Sequence, residues 1–124
     1  MAAIFAVFIS AAMVCPTTVN AGQAIVIAAK ATSNANGTYA FTVTIRHGDE
    51  GWDHYADRFD VLDPSGKVLG RRVLFHPHVD EQPFTRSLSG VKVPKSLTTV
   101  YIRAHDKVHG DSKKLFELKI TPQN

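Results

Sequence analysis

Sulfur is nearly absent from this sequence. Its one cysteine, Cys15, and its two methionines, Met1 and Met13, all fall within the first fifteen residues. Beyond that point the chain can form no disulfide, no thiolate-ligated zinc or iron centre, and no Cu(I) or blue-copper site built on Cys and Met. Its core alone must hold it together. Long apolar runs are missing too: the stretch from Ile4 to Cys15 spans twelve residues, short of the roughly twenty that cross a bilayer. There is no Gly-rich phosphate loop, no hydrolase elbow around a serine, and no nucleic-acid-binding motif. Neither sign of charge dominates, with 14 Lys and Arg against 11 Asp and Glu for a net +3. At 44 % apolar over 124 residues, the chain suits one folded domain and neither a disordered tail nor a multidomain enzyme.

The first twenty-one residues have the pattern of an export signal. The segment IFAVFISAAMVC is followed by Pro16 and by Val19-Asn20-Ala21, which puts small residues at the two positions a signal peptidase inspects. Cleavage is expected after Ala21, leaving residues 22–124 as a periplasmic or secreted domain with no membrane span. No Lys or Arg precedes Ile4, which departs from the usual pattern. Ala12-Met13-Val14 lacks the residues that normally precede a lipidated cysteine, so lipid attachment at Cys15 is not expected.

From Ala24 onward apolar residues recur at period two, interrupted by Gly, Pro, Asn and Asp clusters every eight to twelve residues. This is the pattern of an all-β antiparallel sandwich. It predicts seven strands, at 24–31, 38–46, 57–63, 67–75, 84–91, 98–105 and 114–121. Asn34-Ala35-Asn36-Gly37 and Asp63-Pro64-Ser65-Gly66 carry tight-turn chemistry. The segment 90–97 predicts a longer crossing between sheets, where Pro94 removes a ladder donor. The run Val100-Tyr101-Ile102-Arg103-Ala104-His105-Asp106 through Gly110 resembles the penultimate strand and following loop of bacterial immunoglobulin-like and fibronectin-III-like domains. That resemblance implies a seven-stranded immunoglobulin-like sandwich and no particular activity. His105 and His109 depart from it, standing where small polar residues are usual. Residues His76 to Val91 are similar to small uncharacterised bacterial exported proteins.

Alternating strand directions would bring the loops after strands two, four and six, at 47–56, 76–83 and 106–113, to one pole. Those loops contain or directly follow all six histidines: His47, His54, His76, His78, His105 and His109. They also carry seven of the eleven acids: Asp49, Glu50, Asp53, Asp80, Glu81, Asp106 and Asp111. The opposite pole has Lys67, Lys92 and Lys95. Imidazole is the commonest metal ligand, and carboxylates complete such shells. With sulfur excluded, the candidates are Zn(II), Cu(II), Ni(II), or iron or manganese on His and carboxylate, and export favours zinc or cupric copper. The favoured ligands are His47, His76, His105 and His109 with Asp53 or Glu50, and His54 and His78 complete the set. Strand parity turns His47 toward the core and His105 outward.

A second reading uses the same pole to contact a protein or envelope partner. Trp52 and Tyr55, in the segment HGDEGWDHYADRF, would be the exposed aromatics that make the contact. Arg71-Arg72 and the lysine pole fit a solvated surface more simply than a polyanion site. A metal-dependent enzyme ranks third, since it needs an open coordination position and a general base in a pocket.

Overall fold

A computed structural model describes residues 22–121; the expected export signal at 1–21 lies outside the described residues. The described chain is all β. Its strands are β1 (Ile25–Ser33), β2 (Thr38–Arg46), β3 (Ala56–Leu62), β4 (Val68–Val73), β5 (Phe84–Lys92), β6 (Thr99–Asp106), β7 (Gly110–Asp111) and β8 (Phe116–Lys119). Among the described residues no helix is long and apolar enough to cross a membrane.

Two antiparallel sheets pack face to face. One has three strands in the order β1-β2-β5; the other has five, in the order β4-β3-β6-β7 with β8 also on β6. β2 shows why these residues form strands: Tyr39, Phe41, Val43 and Ile45 are buried, while Thr42 and Arg46 face solvent. β6 alternates in the same way, with Val100, Ile102 and Ala104 inward. The inward side chains of both sheets meet in one core, in which Phe41, Phe59, Phe84, Ile45, Ile102 and Val43 are almost completely enclosed. Each contributes about 1.5–3 kcal/mol by leaving water.

The seven expected strands are eight, because the stretch 106–113, expected as a loop, contributes a short strand, β7, ahead of β8. β7 pairs with the His105–Asp106 end of β6 and β8 with its Thr99–Ile102 end. Between them the Ser112 side chain accepts the Lys114 N–H at 3.3 Å, and Lys113 N–H donates to Gln23 Oε1 at 2.9 Å. A local side-chain acceptor and an outside partner thus take the donors that an unbroken ladder would need. The Asn34–Gly37 and Asp63–Gly66 turns form as expected. In the second, Asp63 Oδ1 accepts from Ser65 N, Ser65 Oγ and Lys67 N, and Gly66 supplies φ of 91°.

On the outer face of the larger sheet, Asp60 is fully buried beneath three arginines. Arg71 Nε lies 2.6 Å from Oδ1, Arg103 Nη2 2.9 Å from Oδ2, and Arg58 Nε 3.8 Å from Oδ2. The first two are its cross-strand neighbours on β4 and β6, so the ion pairs staple three strands together. Burial alone would raise the Asp60 pKa, but the hydrogen bonds and charges of Arg71 and Arg103 outweigh it and hold the carboxyl below its usual 3.8. Its stabilising contribution is therefore present above about pH 3.8 and lost as pH falls through the depressed value. Replacing Asp60 with Ala leaves the guanidiniums facing one another. Since Arg71 is 44 % exposed, the expected cost is about 2–3 kcal/mol, below that of a wholly buried pair. It would be read as a lower urea midpoint at unchanged slope.

Candidate metal centre

The loop after β2 starts by continuing the strand's alternation. Buried side chains recur without a break at Phe41, Val43, Ile45, His47 and Asp49, so the last two enter the end of the core on a parity that the strand sets. β6 does the same on the facing sheet, where Val100, Ile102 and Ala104 are followed inward by Asp106. His54 arrives from a tight turn closed by a bridge between Gly51 and His54. Loops from both sheets thus bring these groups to one point.

His47 Nε2 lies 3.9 Å from Asp106 Oδ2, and His54 Nε2 lies 3.2 Å from Asp106 Oδ1. One ligand atom from each of His47, His54 and Asp106 falls within 4.8 Å of the others, an arrangement that could hold a metal ion. Tetrahedral zinc with bonds near 2.0–2.1 Å keeps its donors about 3.3 Å apart, close to these separations. The side chains of His47 and Asp106 are 0 % exposed and that of His54 10 %. His47 Nε2, His54 Nε2 and Asp106 Oδ2 are all buried without a hydrogen-bond partner. Buried polar atoms are rarely left so, and here three of them share one small space. His109 stands at the rim, with Nδ1 3.2 Å from Asp106 Oδ1 and its side chain 38 % exposed.

The remaining valences of the cluster are spoken for. Asp106 Oδ1 accepts from the backbone N–H groups of Val108 (2.9 Å) and His109 (2.7 Å), which leaves Oδ2 bare. Asp49 Oδ1 binds His47 Nδ1 at 2.5 Å and accepts from Ala56 N at 3.1 Å, and its Oδ2 accepts from His78 N at 2.7 Å. A carboxylate on Nδ1 fixes the ring so that Nε2 faces the other donors, as in carboxylate–histidine–metal arrangements. Burial opposes charge on His47, but the Asp49 hydrogen bond and the charges of Asp49 and Asp106 prevail and raise its pKa above 6.5. Burial likewise opposes charge on the two carboxylates. For Asp49 the bond to His47 overrides it, and for Asp106 the backbone donors of His109 and Val108 do, so both pKa values lie below 3.8.

The other candidates are distributed around this cluster. Glu50 sits 3.6 Å from His54 Nδ1 at the solvent side. Asp53 is exposed in the 51–54 turn and belongs to no metal-type group among the described residues. His105 leans outward, with Nδ1 2.5 Å from Asp57 Oδ1. His76 and His78 form a separate pair with ring centres 4.7 Å apart. His78 is buried, not a solvated loop residue, and stacks on Phe84 at 4.1 Å. Burial, then the charges of Arg86 and His76, lower its pKa. Of the two aromatics expected on the surface, Trp52 is 64 % exposed, but Tyr55 is only 7 % exposed. Tyr55 is enclosed because its ring lies under Lys107 at 5.2 Å and against Trp52 at 5.9 Å. Asp49 and Asp106 are the participants that the candidate ligand set omitted.

No family model matches the chain, and no solved structure matches it. A stretch of 70 residues is 47 % identical to a protein of Halomicrobium mukohataei described as "Putative lipoprotein", covering 56 % of this chain and 34 % of that protein. The chain spans about a third of the length of that relative.

Proposed function

We propose that this is an exported immunoglobulin-like domain whose histidine-rich pole binds a divalent transition metal, Zn(II) or Cu(II), for buffering, delivery or sensing. The observation that carries the reading is the convergence of three orphaned buried atoms, His47 Nε2, His54 Nε2 and Asp106 Oδ2. His109 is the nearest candidate for a fourth ligand. Two imidazoles and a carboxylate suit borderline and harder divalent ions and offer nothing to a soft one. A 3 + 5 sandwich with crossings after β2, β4 and β5 supports the immunoglobulin-like label. Export is supported by the signal-like first 21 residues and by the lipoprotein description of the relative. A second reading, contact with an envelope partner, is favoured at Trp52 by its exposure.

Free ion in excess at a hundred times its dissociation constant should add about 2.7 kcal/mol, or about 10–20 °C of melting temperature in a domain of this size. His47→Gln and His54→Gln should each abolish most of the gain, and Asp49→Asn should weaken binding about 10–100-fold by releasing the His47 ring. A tag-free chain whose melting temperature ignores both Zn(II) and Cu(II) would exclude the metal reading.

The proton and the ion compete for His47 Nε2. Because the His47 pKa is raised, its contribution to the metal-free fold is complete below about pH 6.5 and is lost as pH rises through the raised value. In chelator, melting temperature should therefore decline from pH 6 toward pH 8, while the gain on adding metal grows over the same interval. His47→Gln should flatten both trends.

For export, the intact mass of protein recovered from the producing cell should begin at Gly22. A mass carrying acyl chains on Cys15 would show lipid anchoring instead.

A further inference from the structure

A cleft of about 480 Å³ opens between the β2–β3 and β4–β5 loops, and the metal cluster does not line it. Trp52 comes to it from the first loop; His76, His78, Val79, Asp80 and Glu81 come from the second. Two observations indicate what it takes.

The first is an unmatched aromatic face. Two other rings of this pole each carry a cation of the protein itself: Tyr55 lies under the Lys107 ammonium at 5.2 Å, and Phe84 under the Arg86 guanidinium at 5.7 Å. Trp52 has the most attractive ring face for a cation, yet among the described residues no cation lies over it. It is held edge-on by Tyr55 with the planes 78° apart, and 64 % of it is open to solvent.

The second is an unmatched carboxylate. Glu81 is claimed by Arg86 through two contacts of 3.0 and 3.1 Å. Asp80 is exposed and makes no hydrogen bond or ion pair among the described residues.

We propose that this cleft binds an organic cation with N–H donors on an aliphatic stem, a primary ammonium or a guanidinium. The stem lies on the Trp52 indole and the charge faces Asp80. This site is independent of the metal reading, since neither His47, His54 nor Asp106 lines the cleft. A free amine and a lysine side chain in a peptide share the chemistry.

Trp52 is the sole tryptophan of the chain, so intrinsic fluorescence reports the cleft directly. Putrescine, the capped peptide Gly-Lys-Gly and its neutral analogue Gly-norleucine-Gly would be titrated into the whole domain. A saturable change is expected with at least one of the two amines, with the norleucine peptide about tenfold weaker or worse. Saturation by putrescine alone would assign a free amine, and saturation by the lysine peptide a peptide-borne one. Asp80→Asn should weaken binding about fivefold at low salt. Trp52→Leu, followed by calorimetry, should remove binding while leaving the gain in melting temperature on adding zinc unchanged. Equal binding of the lysine and norleucine peptides, an unchanged affinity in Asp80→Asn, or no saturable response to either amine would each overturn the proposal.

Discussion

The pole of this sandwich depends on one buried carboxylate. Asp49 bonds to His47 at the end of β2, to the Ala56 N–H where β3 begins, and to the His78 N–H in the β4–β5 loop. Those contacts tie two loops and a strand start to a single side chain that is itself shut off from water. An isolated buried carboxylate would be expensive, and removing one partner from such a group is costlier than never having made it. The loops therefore cannot relax separately. Holding His47 by Nδ1 also decides which nitrogen faces Asp106, so the same bond that closes the end of the core aims the ligand.

Asp60 and Asp106 show how equal burial serves different ends. Both are aspartates at 0 % exposure, on neighbouring strands. Around Asp60 the partners are arginines, which stay charged at any pH the fold survives, and both carboxylate oxygens are bonded. Nothing is left for a ligand to do, and the group acts as a staple. Around Asp106 the partners are backbone amides and imidazoles. One oxygen, Oδ1, is served by the amides with His54 and His109 beside it, and the other, Oδ2, faces His47 with no bond made. Whether a buried carboxylate keeps an oxygen free is decided here by the neighbours' chemistry, since burial is the same.

Much of this was legible in the sequence. Period-two alternation located the strands, and alternating strand direction placed the loops after the second, fourth and sixth strands together, as the contacts of His47 and His54 with Asp106 and of His78 with Asp49 require. Parity turned His47 inward and His105 outward. The same parity, carried two residues beyond His47 and one beyond His105, reaches Asp49 and Asp106, so the two key carboxylates were within reach of the rule that found His47. Preferring the loop acids Glu50 and Asp53 missed them, because a carboxylate is normally assumed to seek solvent. The short strand β7 and its separation from β8 were not legible: the Lys113 N–H between them goes to Gln23, 90 residues away in sequence. Nor was the burial of Tyr55, which follows from Lys107 lying across its ring.

Charge explains why the histidines and acids gather at the same end. Asp49 and Asp106 bring two negative charges into the end of the core, and both are held ionised. In the metal-free chain their field favours a proton on His47, whose pKa it raises, and a single proton balances only one of the two charges. Three donor atoms stay unpaired as well, at a cost of about 1–3 kcal/mol each. A divalent ion displacing that proton would neutralise both carboxylates and give all three atoms a partner. The proton and the ion are thus alternative counter-charges for one buried pair of acids. As pH rises and the proton leaves His47, the ion would become the one counter-charge left to the pair.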